Sequence, residues 1–252
     1  MISHITFSMI IMIFLAVFLA YIVFGMTGFG TSLIASPILI YFLPLSAIIP
    51  ILALLDLTAS YRLIKGNIQK ADRKILVRLL PMILIGSIMG GVALLTIDVS
   101  ILMLLLAIFI VLYSLYSLLK VNIKYNPDNR NLVYLFGVLG GVLGTLFGSG
   151  GFIYAIFLSN SLNDKAKIRT NQSCLIAFST LTRAILFLLS GVYLNLSILI
   201  IALSLVPVMV IGVLIGNKLY SLIPVKFFKI LINVLVLVSG ITLLIHCLYI
   251  LC

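Results

Sequence analysis

The chain has 252 residues, of which 64% are hydrophobic and 8% charged, with a mean hydropathy of +1.40. That balance excludes a soluble domain, where about a quarter of residues carry charge. The formal net charge of +11 does not mark a nucleic-acid partner, because Lys and Arg fall in four short clusters between apolar runs, as in the loops of a membrane protein.

In chain order, the apolar periodicity predicts helices over 5–24, 31–43, 46–64, 75–95, 99–119, 132–146, 151–160, 171–191, 196–217 and 226–249. Runs near 20 residues span the hydrocarbon core of a bilayer. The first run, Ile5–Tyr21, lacks a basic leader and flows directly into a glycine cluster, so it reads as a retained membrane segment and not a signal peptide. The cluster Gly25-Met26-Thr27-Gly28-Phe29-Gly30-Thr31 interrupts apolar sequence, and a relative of it returns as Gly144-Thr145-Leu146-Phe147-Gly148-Ser149-Gly150-Gly151. Glycine breaks free backbone groups that hydrocarbon cannot satisfy, so they belong where the backbone is buried in protein or lines a cavity.

The repetition extends further. Pro81-x4-Gly86-x3-Gly90 matches Pro207-x4-Gly212-x3-Gly216, Arg62 matches Arg183, and Gly66 matches Gly191. Four matches in the same order predict a duplicated chain, with repeats over 1–121 and 132–252 joined by a cytoplasmic linker at 122–131. The glycines of the Gly-x3-Gly pairs read as close-packing positions.

The basic clusters fall at 65–78, 120–130, 163–169 and 218–229, while the connections near Pro44, Asp98 and 192–195 carry no Lys or Arg. Equivalent loops of the two halves therefore have opposite character. The positive-inside rule then predicts inverted-topology repeats, each a broken or re-entrant helix pair plus three transmembrane helices, in an all-α polytopic membrane protein with both termini outside.

A helix start at a glycine break offers backbone N–H groups and the positive end of a dipole, a setting for an anion. The candidate substrate ligands are Gly25, Thr27, Gly28, Gly30 and Thr31 in the first break and Gly148, Ser149, Gly150 and Gly151 in the second. Arg183 and Arg62 supply positive charge. Arg183 is placed about 12 residues into a helix starting near Asn171, roughly 18 Å deep. A charge at that depth marks a solute path unless it is structurally paired. Arg62, near its helix end, has snorkelling to the surface as an equal reading. Asp56 is the candidate for ion coupling, for pairing with Arg183, or for a bond to a neighbouring helix. Asn171, Gln172, Ser173, Ser179, Thr180 and Thr182 form a polar stripe. Three scattered cysteines (Cys174, Cys247 and Cys252) indicate neither a metal site nor a disulfide framework, and no cofactor is expected.

The run from Gly25 to Pro37, its recurrence at Gly148–Gly151 and the repeated Pro-x4-Gly-x3-Gly resemble the sulfite exporter TauE/SafE family of membrane transporters, over essentially the whole chain. The second repeat departs from the family pattern by carrying Phe152 and Phe157. The resemblance implies secondary transport of a small anion, such as sulfite, sulfoacetate or a related organosulfur or carboxylate anion, with no enzymatic activity. The expected setting is a bacterial-type plasma membrane, with the lipid bilayer as partner and homo-oligomerisation left open. Two other readings compete: a rhomboid-like intramembrane serine protease built on Ser149 and His246, and a non-transporting membrane scaffold. Ser149 lacks the Gly-x-Ser context of the first, and the chain lacks the long soluble loops of the second.

Overall fold

The computed structural model describes residues 7–39, 41–96, 108, 111–112, 115, 125–126, 128–148 and 150–251. Their order is α1 (Phe7–Thr27), α2 (Thr31–Leu39), α3 (Leu45–Lys65), a 3₁₀ turn (Ile68–Lys70), α4 (Arg73–Thr96), α5 (Arg130–Phe147), α6 (Gly151–Ser161), α7 (Lys165–Leu189), a second 3₁₀ turn (Val192–Leu194), α8 (Leu196–Leu222) and α9 (Val225–Leu251). Among the described residues there is no strand. The predicted helix at 99–119 lies almost wholly outside them, as does Ser149.

Polar residues start the helices at loop ends. Asp72 Oδ1 accepts from the backbone N–H groups of Lys74 and Ile75 at the start of α4. Asn129 does the same for Asn131 at α5, Asp164 for Ala166 at α7, and Asn195 for Ser197 at α8. These are N-cap bonds, each worth about 1 kcal/mol. The starts of α2 and α6 differ, because the preceding residues are Gly30 and Gly150, which have no side chain to cap with. Both helices are short, at 9 and 11 residues, or about 13 and 16 Å, roughly half the hydrocarbon thickness. Their partners α1 and α5 have 21 and 18 residues. Each break thus joins a near-spanning helix to a half-length one. By length and composition, Met9–Thr27, Ser46–Lys65, Lys165–Leu189 and Leu196–Leu222 are candidate membrane spans.

The Asp164 cap corrects one expectation. The helix carrying Arg183 starts at Lys165, not near Asn171, so the basic residues 165–169 form its first turns instead of a loop. Arg183 is about 27 Å from that start and only about 9 Å from the helix end at Leu189.

The chain packs as two compact units, one formed by Met1–Ala71 with Arg169–Leu222 and the other by Asp72–Ile168 with Ile223–Cys252. Each draws helices from both sequence halves. In the first unit α1 lies along α8. A Cβ on Gly216 would strike the Ile22 carbonyl oxygen, one on Gly212 would come within 2.9 Å of that of Phe18, and one on Gly25 within 2.7 Å of that of Val213. In the second unit α4 lies along α5 in the same manner. There Gly86 abuts the Val138 carbonyl, and a Cβ on Gly90 would lie 2.8 Å from the Val142 oxygen. Phe18 and Ile22 stand to Gly212 and Gly216 as Val138 and Val142 stand to Gly86 and Gly90, so the same backbone-to-backbone contact recurs in each unit with the halves exchanged. These glycines are packing positions, as small-residue helix interfaces in membranes require.

Gly216→Leu is expected to separate α1 from α8 and destabilise the protein by more than the 1–3 kcal/mol typical of overpacking, because carbonyl backbone cannot move aside as a side chain can. Gly66→Ala, with nothing within 4 Å of its added Cβ, is the control. Melting temperatures in detergent compare the two.

Candidate functional site

The first glycine break is built by α1, α2, α3 and the part of α7 from Arg169 onward, all within the first unit. α1 ends as Thr27 turns its hydroxyl back to the Val23 carbonyl at 2.8 Å and across to the Phe29 carbonyl at 3.0 Å. The chain then passes through Gly28 (φ +83°) and Gly30 (φ +100°) before α2 starts at Thr31. Gly28 is required twice over. Its φ is left-handed, and a Cβ there would meet Ser173 Oγ at 2.9 Å and the Arg169 carbonyl at 3.1 Å. Gly28→Ala is therefore expected to cost about 1–3 kcal/mol in backbone strain, besides the clash with α7. A transport loss larger than that of Gly30→Ala, whose added Cβ meets only Val23 at 3.7 Å, would distinguish the α7 contact from strain alone.

Asp56 lies beside this break, at the middle of α3 and 3% exposed. Tyr21 Oη donates to its Oδ1 at 2.8 Å and Thr31 Oγ1 to its Oδ2 at 3.1 Å. The carboxylate thus sits at the N-terminus of α2, where an anion is favoured by the helix dipole. It holds the position at which Thr31 was expected to meet a substrate. Charges buried this way persist only when paired and hydrogen-bonded.

α7 presents a polar face to the interior. Arg169, Gln172, Ser173, Thr180 and Arg183 follow one another at three-, one-, seven- and three-residue steps, which keeps them on one side of the helix, and all are buried. Arg183 is 7% exposed, and its Nη2 donates to Thr180 Oγ1 at 3.3 Å. It lies within electrostatic reach of Tyr21, Asp56 and Tyr193. Tyr193, in the 3₁₀ turn beyond the helix, donates to the Pro50 carbonyl at 3.2 Å, and its ring meets Phe187 edge-on. Burial pushes the Tyr193 phenol up to about 12, and the Arg183 charge pulls against that.

The second break belongs to the other unit. α5 ends on Gly148, left-handed at φ +69°, whose N–H donates to the Gly144 carbonyl. Gly150 is packed against the backbone of Gly140 and Gly144, and Gly140 against the Tyr154 ring. α6, from Gly151, is buried over residues 151–159. Phe152 and Phe157 are core residues there, each at most 1% exposed.

Within the first unit, the structure brings Thr31, Gly28, Asp56 and Arg183 to the surroundings of one break. Gly25 packs against α8, and Arg62 is exposed on the last turn of α3, where a cation complements the helix C-terminus. Tyr21 and Arg169 are additions that sequence reasoning did not select. The step of 14 residues between Arg169 and Arg183 was available as a signal, but only with the helix extended back to its Asp164 cap.

Loop contacts join the basic clusters in pairs. Asp128 bridges Lys74 at 2.6 Å and Arg78 at 3.2 Å, and the hydrogen bond from Lys74 holds its carboxyl below the usual range. Lys165 Nζ donates to the Ile223 carbonyl at 2.6 Å.

These features, an all-helical apolar chain with two glycine-broken helices and buried arginines on a polar helix face, are those of a membrane transporter. A family model described as sulfite exporter TauE/SafE matches residues 13–243. The chain belongs to the sulfite exporter TauE/SafE family. The family consists of membrane transporters, so the chain is an integral membrane protein of a transporter family. No match was found among curated proteins or among solved structures.

Proposed function

We propose that this TauE/SafE family member is a secondary transporter that moves a small anion, sulfite or an organosulfur or carboxylate relative, by alternating access past its glycine breaks. The observation that carries the reading is the buried polar face of α7, which leads Arg183 toward the Tyr21–Asp56–Thr31 cluster at the first break. A buried charge in a membrane bundle costs several kcal/mol, and an inward cationic helix face of this kind usually marks a solute path.

Asp56 supplies a coupling device. Its carboxylate competes with any substrate anion for the N-terminus of α2, since like charges in a site of low dielectric exclude one another. A proton on Asp56 removes that competition, and anion and proton then travel together. Gly28, Gly30 and the α2 N-terminus form a substrate cradle within the first unit. By the sequence repeat, Gly148, Ser149, Gly150 and Gly151 are the equivalent candidates of the second unit, and Arg62 is the weaker charge complement.

The loop contacts support one side for each pair of basic clusters, and the positive-inside rule supports a common cytoplasmic side for all four, inverted repeats and external termini, in a plasma membrane of bacterial type. Flux tests the reading. Proteoliposomes bearing the protein are expected to take up radiolabelled sulfite or sulfoacetate under an imposed inward proton gradient faster than empty vesicles. Equal rates for every small anion would overturn it.

A further inference from the structure

Arg169 stands on the second turn of α7, 6% exposed. Its side chain is held from two directions by α8. Nη1 donates to Asn217 Oδ1 at 2.9 Å, and the guanidinium carbon lies 4.2 Å over the centre of the Tyr220 ring. Its two remaining nitrogens, Nε and Nη2, are buried and have no hydrogen-bond partner among the described residues. Among the described residues no carboxylate forms an ion pair with Arg169.

Nε–H and the neighbouring Nη2–H lie side by side along one edge of a guanidinium and point the same way, at a spacing that matches two oxygens on one central atom. A buried cation with a complete, unfilled fork is a costly arrangement unless something completes it. The Arg169 backbone carbonyl also packs against Gly28, which fixes this residue to the first break. Arg183 shares the same helix face about 21 Å further along.

We infer that the Nε–Nη2 edge of Arg169 is an oxoanion fork of the transport pathway, taking two oxygens of a sulfite, sulfonate or carboxylate group side-on. Asn217 and Tyr220 are its positioning residues. This rests on the transport reading and deepens it by setting the substrate class. An anion must offer two oxygens on one atom, and a monatomic anion fills only half the fork. The end of α7 that carries Arg169 adjoins the basic first turns, so this is the station nearest the proposed cytoplasmic side.

Equilibrium binding of ³⁵S-sulfite to the purified full-length protein in detergent tests it, with methanesulfonate, acetate, chloride and bromide as competitors. In the wild type, methanesulfonate and acetate are expected to displace sulfite at concentrations at least tenfold below those needed for the halides. Arg169→Lys keeps the charge and loses the fork, so sulfite binding should weaken at least tenfold and the preference over bromide should shrink. Asn217→Asp, which draws the guanidinium charge onto a carboxylate, should also weaken binding. Wild-type protein displaced equally by halides overturns the inference, whether or not the variants fold. So does an Arg169→Lys protein that elutes and melts as wild type and retains both affinity and preference. In either case wild-type flux would leave the transport reading standing, whereas absence of wild-type flux would remove that reading itself.

Discussion

Arg183→Ala is expected to lower anion flux at least tenfold in proteoliposomes while leaving a folded protein. Arg183 is buried, bonds Thr180 on its own helix and lies within electrostatic reach of Asp56. Its charge thus contributes to the field at the α2 break more than to any exposed ion pair. A charge-assisted contact to substrate is worth about 1.5–3 kcal/mol, and its loss corresponds to roughly tenfold or more in binding. The position about 9 Å from the end of α7 lets water reach the cavity left by the truncation, which limits the cost to folding. Arg183→Lys should recover part of the activity, because an ammonium restores the charge but not the planar fork. Elution profile and melting temperature separate a transport defect from misfolding. An Arg183→Ala protein that is folded and fully active would assign Arg183 to structure alone.

Asp56→Asn is expected to separate coupling from translocation. The amide has the shape of the carboxylic acid and can still accept from the Tyr21 or Thr31 hydroxyl, while either hydroxyl can turn to accept from its NH₂. The stability cost should stay near the 1–3 kcal/mol of a rearranged buried hydrogen bond. What the amide cannot do is bind and release a proton. Uptake driven by a proton gradient should therefore fall at least tenfold, while exchange of labelled for unlabelled anion continues, since the neutral amide no longer competes with the substrate at the α2 N-terminus. Gradient-driven uptake at the wild-type rate in Asp56→Asn would remove Asp56 from coupling. Loss of exchange and uptake together, in a folded protein, would make it a substrate-positioning residue instead.

The parts of the fold legible in sequence are those governed by short-range composition. The glycine breaks, the half-length helices after them and the repeated Gly-x3-Gly contacts all follow from residues that change the backbone locally or permit close approach. The start of α7 is not legible in sequence because Lys165, Lys167 and Arg169 have the composition of a charged loop. A basic first turn runs against the helix dipole, and Asp164 is what starts the helix in spite of it. The same composition also conceals Arg169, since the positive-inside rule weighs every Lys and Arg alike and says nothing of which one turns inward. Tyr21 is concealed differently. Its bond to Asp56 spans 35 residues of sequence, and a tyrosine in an apolar run carries no mark of its distant acceptor. The interleaving of the two halves into compact units likewise depends on contacts between helices far apart in the chain.

Counterflow tests the central claim most directly, because it requires a site that binds substrate and opens to each side in turn, with no driving gradient. Purified protein is reconstituted into liposomes loaded with unlabelled sulfite, which are then diluted into a trace of labelled sulfite. The wild type is expected to accumulate label transiently above its equilibrium level, and Arg183→Ala to show at most a tenth of the initial rate. Label that only equilibrates, at the rate of protein-free liposomes, for sulfite and for sulfoacetate alike, would contradict the account.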